Sequence, residues 1–320
     1  MTIGKLLTLK KFLYIFKNHS TRICFRQNND ILQHGAYNTK NKLIGYTRRR
    51  LKLSVTTNLL IGTSGFDYPE WKGVFYPADL KRKDFLAYYA TQFNALELNG
   101  TFYNMPTGER LLSFYERSEG KVQFSVKANR LLTHEIARNW QSSAQVFVDA
   151  LKPLQDKGCL SAVLFQFPQS FHYIEENRFY LANLIKAFES FPAVIEFRHA
   201  EWIRESVFEG LEKRNAGIVF CDMPQLKNLP DGNKLKTPFV GSSAYIRLHG
   251  RNANAWYSAG DSPNGSARYD YEYSDSELES FVPVINQALA EEKKVHVFFN
   301  NHPNGNGAKN AQKLKQMMQP

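Results

Sequence analysis

Short apolar runs that end in charged or amide residues recur along this chain, and the segments between them are of helical length. The run 95–99 shows the pattern. Read as a strand, it places Leu96 and Leu98 on one face and Ala95, Glu97 and Asn99 on the other, and Gly100 then turns the chain. A carboxylate and an amide therefore leave the strand together at its C-terminal end. A buried carboxylate is costly unless it is paired or bound to a ligand, so Glu97 demands a cation or a substrate. The same spacing puts Ser125 with Lys127 at the end of 122–127 and Glu196 with Arg198 at the end of 193–198. It puts Arg247 with His249 at the end of 244–249, and Asn300 at the end of 295–300.

Strand-like runs at 59–63, 160–167 and 217–221 complete a set of eight, and helical segments fall at 80–93, 108–118, 144–157, 178–190, 203–215, 276–290 and 307–318. Alternation of strand and helix calls for a parallel sheet. Eight strands in about 260 residues is the size of a closed TIM-type (β/α)8 barrel. An open doubly wound sheet is the competing architecture, but it gathers its ligand groups at one switch point. Here polar groups end most of the strands, as they do around a barrel mouth, so the expected fold is the α/β barrel.

Seven ordered stretches carry a family resemblance. Ile61 to Pro77 (IGTSGFDYPEWKGVFYP), ELNGTFYNMP from Glu97, FSVKANRLLTH from Phe124, EFRHAEW from Glu196, YIRLHGR from Tyr245, RYDYEYS from Arg268 and FFNNHPNGNGAKNA from Phe298 resemble the motifs of the domain-of-unknown-function 72, or YecE-like, family. The resemblance covers about residues 58–320 and implies a barrel similar to the TIM fold, with no settled activity to carry over. Two departures stand out: Phe66 where the family usually has Trp, and Gln166 to Gln169 (QFPQ) in place of an LPP-type run. Neither removes a titratable group, so both bear on local packing.

The charge divides the chain. Residues 1–57 hold twelve Lys and Arg against a single acid, Asp30, which accounts for the whole formal net charge of +11. That leaves 29 basic and 29 acidic residues for 58–320, so the barrel is formally neutral and its charge gives no argument for nucleic acid. The expected domains are accordingly a basic extension, 1–57, either disordered or targeting, and a barrel, 58–320. Lys10 and Lys11 split the apolar stretch of the extension, too early for a membrane span or a secretory core. Cys24, Cys159 and Cys221 lack paired spacing and suggest neither disulfides nor zinc, which points to a reducing compartment. The expected location is the cytoplasm, or an organelle if the extension is a targeting segment.

Among the candidate site residues, Glu97, Glu196 and His249 are placed to act as acids and bases. Lys127, Arg198 and Arg247 are placed to hold an anion, and Lys127 could also form a Schiff base or neutralise Glu97. Asn99, Asn300, Asn301, Gly305 and Gly307 offer amides and free backbone N–H groups, the last four in a Gly- and Asn-rich loop opening the final helix. Loops after strands seven and eight of barrels often bind phosphate, which makes this loop an expected anion subsite. Tyr269 belongs to a long aromatic loop, 251–274, read as a lid. His134, in the loop after strand three, could serve as an acid or base or only bond to backbone. Ser64 lies in a G-T-S-G turn rather than a nucleophile elbow and is expected to line the mouth.

Two classes of function fit. One is an enzyme working by acid/base chemistry, hydrolysis included, on a phosphate-bearing or other anionic substrate. The other is a non-catalytic binding protein for a phosphorylated ligand or nucleic acid. The number of cations makes a glycosidase, with its two free carboxylates, less attractive. A metal-dependent phosphodiesterase would need Glu97, Glu196, Asp222 and His249 to converge, and no metal is assigned from the sequence. No P-loop or dinucleotide fingerprint is present, so no cofactor is indicated.

Overall fold

The computed structural model describes residues 58–231, 239–257 and 266–319, and the basic extension 1–57 lies outside them. Eight parallel strands close on themselves in sequence order: β1 (Leu59–Ser64), β2 (Ala95–Leu98), β3 (Gln123–Lys127), β4 (Leu160–Gln166), β5 (Ala193–Glu196), β6 (Gly217–Asp222), β7 (Ser243–Leu248) and β8 (Lys294–Phe299). The barrel closes through β8 against β1, with Leu59 beside Val295 and Thr63 beside Phe299. This is the TIM-type barrel expected from the alternation.

Helices follow seven of the strands: α1 (Phe85–Gln92), α2 (Gly108–Arg117), α3 (Trp140–Asp156), α4 (Glu175–Ala187), α5 (Glu205–Glu212), α6 (Asp275–Ala290) and α7 (Asn306–Met317). No helix follows β6 among the described residues, and the sequence shows no helical period there. Local chemistry sets the helix ends. Thr107 caps α2 by accepting the Arg110 N–H, and Ser274 opens α6 with a capping box closed by Glu277.

Alternation along each strand separates two cores. Leu96 and Leu98 of β2 join the shell between strands and helices, together with Phe124, Val126, Phe165, Ile195, Ile246 and Val297. Ala95 points the other way and packs inside the barrel with Leu60, Ala162, Leu164, Val194, Val219, Tyr245 and Phe298. Above this apolar plug, toward the strand C-termini, the inward positions become polar. The sheet register explains why they meet: Ser64 lies beside Glu97, Glu97 beside Ser125, Gln166 beside Glu196, and Cys221 beside Arg247.

One side chain stitches the first two strands. The buried Tyr89 hydroxyl on α1 accepts the Thr63 N–H at 2.9 Å and donates to the Ala95 carbonyl at 2.9 Å. Gly62 makes room for it, because a Cβ there would lie 2.0 Å from the Ala95 carbonyl oxygen and 2.8 Å from the Tyr89 hydroxyl.

Candidate functional site

The mouth is organised around Arg247 near the end of β7, only 2% exposed. Its guanidinium spans two carboxylates, with Nη2 on Glu97 Oε1 at 2.6 Å and Nη1 on Glu196 Oε2 at 2.6 Å. Glu97 is also held by the Ser64 hydroxyl at 2.6 Å and the Tyr245 hydroxyl at 2.7 Å, and Tyr245 bonds Ser125 at 2.7 Å. Both carboxylates are fully buried, and such groups persist only when charges and donors surround them. Burial would raise the Glu196 carboxyl, but Arg198 and Arg247 outweigh it and hold it well below the usual range. Desolvation lifts the Tyr245 phenol well above its ordinary value, so Tyr245 stays neutral and donates.

A second arc begins at Glu196, which takes Arg198 Nε at 2.5 Å. Arg198 Nη2 lies 3.1 Å from His249 Nε2, and His249 Nδ1 lies 3.0 Å from the Asn300 amide. A guanidinium only donates, so His249 accepts at Nε2 and carries its proton on Nδ1. Burial, with the Arg198 and Arg247 charges, drives the His249 pKa well down and keeps the ring neutral. Trp256 and Tyr269 of the long loop cover this arc, their ring centres 6.4 and 5.9 Å from that of His249, and Arg198 lies over Trp256.

Lys127 is different. Its Nζ donates to Gln166 Oε1 at 2.9 Å and lies 4.3 Å from the centre of the Phe102 ring. Among the described residues no carboxylate comes within ion-pair distance of it. Burial first, and the nearby Arg247 charge second, draw its ammonium down to about 7. The side chain keeps some surface open to solvent, unlike Arg247 and His249. Asn99 opens onto a cleft of about 540 Å³ that also touches Glu97 and runs out past Tyr68 toward Arg110 and Arg117. Its Oδ1 is buried without a hydrogen-bond partner there.

Other candidates are spent on structure. Asn301 donates to the Tyr271 carbonyl at 2.8 Å and to Asn310 at 2.9 Å. Gly305, at φ 70°, gives its N–H to the His302 carbonyl and packs where a Cβ would press on Val74. Gly307 is buried against Asn301. Asn301, Gly305 and Gly307 thus offer packing where an anion subsite was expected, while Asn304 faces out and donates to Asp270 at 3.0 Å. Asp222 turns away to Arg251 at 2.8 Å and the Tyr273 hydroxyl at 2.6 Å, so it does not join Glu97, Glu196 and His249. Trp71 and Tyr76 of the first loop are buried, and Trp71 Nε1 donates to the His302 carbonyl, tying the first loop to the last. His134 is exposed, bonded to the Thr133 hydroxyl and set edge-on to Phe102.

Four participants are not among the site residues that a sequence reading names. Tyr245 lies two positions before Arg247 on the same strand face, a signal that was there to use. Gln166 figures only as a departure from a motif, yet it is the hydrogen-bond partner of Lys127. Cys221 brings its sulfur within 4.8 Å of ligand atoms on Glu196 and His249, and Trp256 covers Arg198. The last two are joined to the site only by folding.

A parallel eight-stranded barrel with a charged, arginine-centred C-terminal mouth is the class of protein these features define. The chain belongs to the family described as Protein of unknown function DUF72, whose model matches residues 60–320. It is 28% identical over 253 residues to the UPF0759 protein YunF of Bacillus subtilis, covering 76% of this chain and 89% of YunF. It is similar to the crystal structure of a DUF72 family protein from Thermotoga maritima, with 33% identity and a TM-score of 0.72, covering 81% of this chain and 98% of that one. A DUF72 family protein from Enterococcus faecalis, at 23% identity and a TM-score of 0.70, covers 81% of this chain and 95% of its own, and shares the fold. Among the described residues no helix is long and apolar enough to cross a membrane.

Proposed function

We propose that the mouth binds a small anionic, phosphate-bearing substrate and acts on it by acid/base chemistry, with Lys127 as the group that exchanges the proton. The observation that carries this reading is one amine left without a counter-charge: Arg247 and Arg198 are matched by two carboxylates, and among the described residues none lies beside Lys127. An anion at the mouth would supply the missing charge. Glu97 and Glu196, although carboxylates, are held by arginines and hydroxyls. They act here as the frame that fixes Arg247 and Arg198, and His249 orients Arg198 from behind. A base works best with a pKa near the working pH, and among these groups Lys127 meets that condition.

A second reading, a binding protein without turnover, draws on the same tie-up of both carboxylates. Thermal unfolding of the full chain with inorganic phosphate or a phosphosugar tests the anion site common to both. At a hundred times Kd the ligand should add about 2.7 kcal/mol, a rise of roughly 5–10 °C for a domain of this size. The rise should shrink with added salt and should be mostly lost in Lys127→Met. Turnover that disappears in Lys127→Met would support the enzyme, and binding without turnover of any phosphate ester would support the alternative. Stabilisation by neutral sugars, with none by phosphate, would overturn both.

A further inference from the structure

On the outer rim, a second cluster lies apart from the arginine network. His172 sits in the loop after β4, while His199 and Glu201 sit in the short helical turn after β5. Their ligand atoms gather within 4.8 Å of one another. His172 Nδ1 is 3.3 Å and His199 Nδ1 is 3.6 Å from the same oxygen, Glu201 Oε2, and the two rings lie 4.6 Å apart.

We propose that His172, His199 and Glu201 form a binding site for a divalent transition metal of the zinc class, clipping the β4 loop to the β5 loop. Two imidazoles and one carboxylate are a donor set zinc takes when it keeps a fourth position for water. The spacing agrees. With bonds of about 2.0–2.1 Å, the edge of a zinc tetrahedron is roughly 3.3–3.4 Å. A direct imidazole–carboxylate hydrogen bond would instead bring N and O to about 2.7–2.9 Å. The observed 3.3 and 3.6 Å match donors set around a shared ion better than donors bonded to each other. The Tyr173 N–H donates to Glu201 Oε2 at 3.1 Å and orients the carboxylate, as outer contacts of metal ligands do. The contact an ion would displace is the 3.3 Å approach of the Glu201 N–H to His199 Nδ1, long for a hydrogen bond.

This site stands independently of the anion reading of the mouth. The neighbouring trio Glu196, Cys221 and His249 is the competing location, but Glu196 is already bonded to Arg198 and Arg247, whose charges would repel a dication.

The test uses the full chain, stripped with a chelator and titrated with zinc against a chromophoric competitor. We expect one equivalent bound at pH 7.5, lost as the pH falls below about 6 and the imidazoles protonate. His172→Ala and Glu201→Ala should each weaken binding by about 10–100-fold or more. Both side chains are half exposed, so the variants should keep the parent's melting curve without metal, which checks their folding. Cys221→Ala should bind as the parent does, and the cobalt form should lack a thiolate charge-transfer band. Absence of stoichiometric binding would overturn the proposal. So would binding unmoved by the two rim variants, or a thiolate band that vanishes in Cys221→Ala.

Discussion

Arg247→Met is expected to be the most damaging conservative-sized change in the barrel. It removes one guanidinium and leaves two fully buried carboxylates, Glu97 and Glu196, without their shared partner. Breaking a buried ion pair from one side costs about 3–5 kcal/mol, because an uncompensated charge remains behind. For a domain of this size that lowers Tm by roughly 6–20 °C. The pH dependence identifies the cause. In the parent protein the folded Glu196 pKa lies below its unfolded value, so its contribution is present above about 4.3 and fades as the pH falls. In the variant Glu196 keeps Arg198 but loses the Arg247 charge, so its carboxyl is held less far below the unfolded value. The resulting penalty is full at neutral pH and shrinks as protons are taken up. The gap in stability between parent and Arg247→Met should therefore hold from pH 7 to pH 5 and narrow as the pH falls below about 4, measured by urea unfolding at each pH. A gap independent of pH would mean the damage is one of shape and packing.

Gly62→Ala should rank next. The added Cβ would sit 2.0 Å from the Ala95 carbonyl oxygen, an atom of the neighbouring strand, and 2.8 Å from the Tyr89 hydroxyl that stitches the two strands. Neither can move without parting β1 from β2, so the cost should reach about 3 kcal/mol or more. Gly100→Ala is the matched control, since nothing lies within 4 Å of the Cβ it would gain. Its urea midpoint should stay near the parent's. Equal midpoints for the two variants would refute the claim that Gly62 is kept for close approach.

Much of the fold is legible in the sequence because barrel strands have a two-sided period. Reading Ala95 and Glu97 against Leu96 and Leu98 assigns each residue to the correct core, and the i, i+2 pairs at strand ends predict which polar groups share the mouth. Roles within the mouth are harder to read. Glu97 and Glu196 look like an acid/base pair along the chain, and only the contacts across the barrel show each tied by arginine. The Asn300 to Gly307 loop has the composition of an anion cradle, yet its Asn301 amide turns inward to Tyr271 and Asn310 and its Asn304 amide is taken by Asp270. Composition carries no information on which way a turn faces. Likewise His172 and His199 stand 27 positions apart, and no spacing rule joins them before two loops meet in space.

Lys127 carries both the proton role and the anion site. Its Nζ can be followed by nuclear magnetic resonance in protein carrying isotope-labelled lysine, with Lys127→Met supplying the assignment. Titration is expected near 7 in the free protein, far below the usual lysine value of about 10.4, with a clear rise when phosphate is added, since a bound anion favours the ammonium. A Lys127 signal that titrates near the ordinary value and does not respond to phosphate would contradict both the proton role and the anion site.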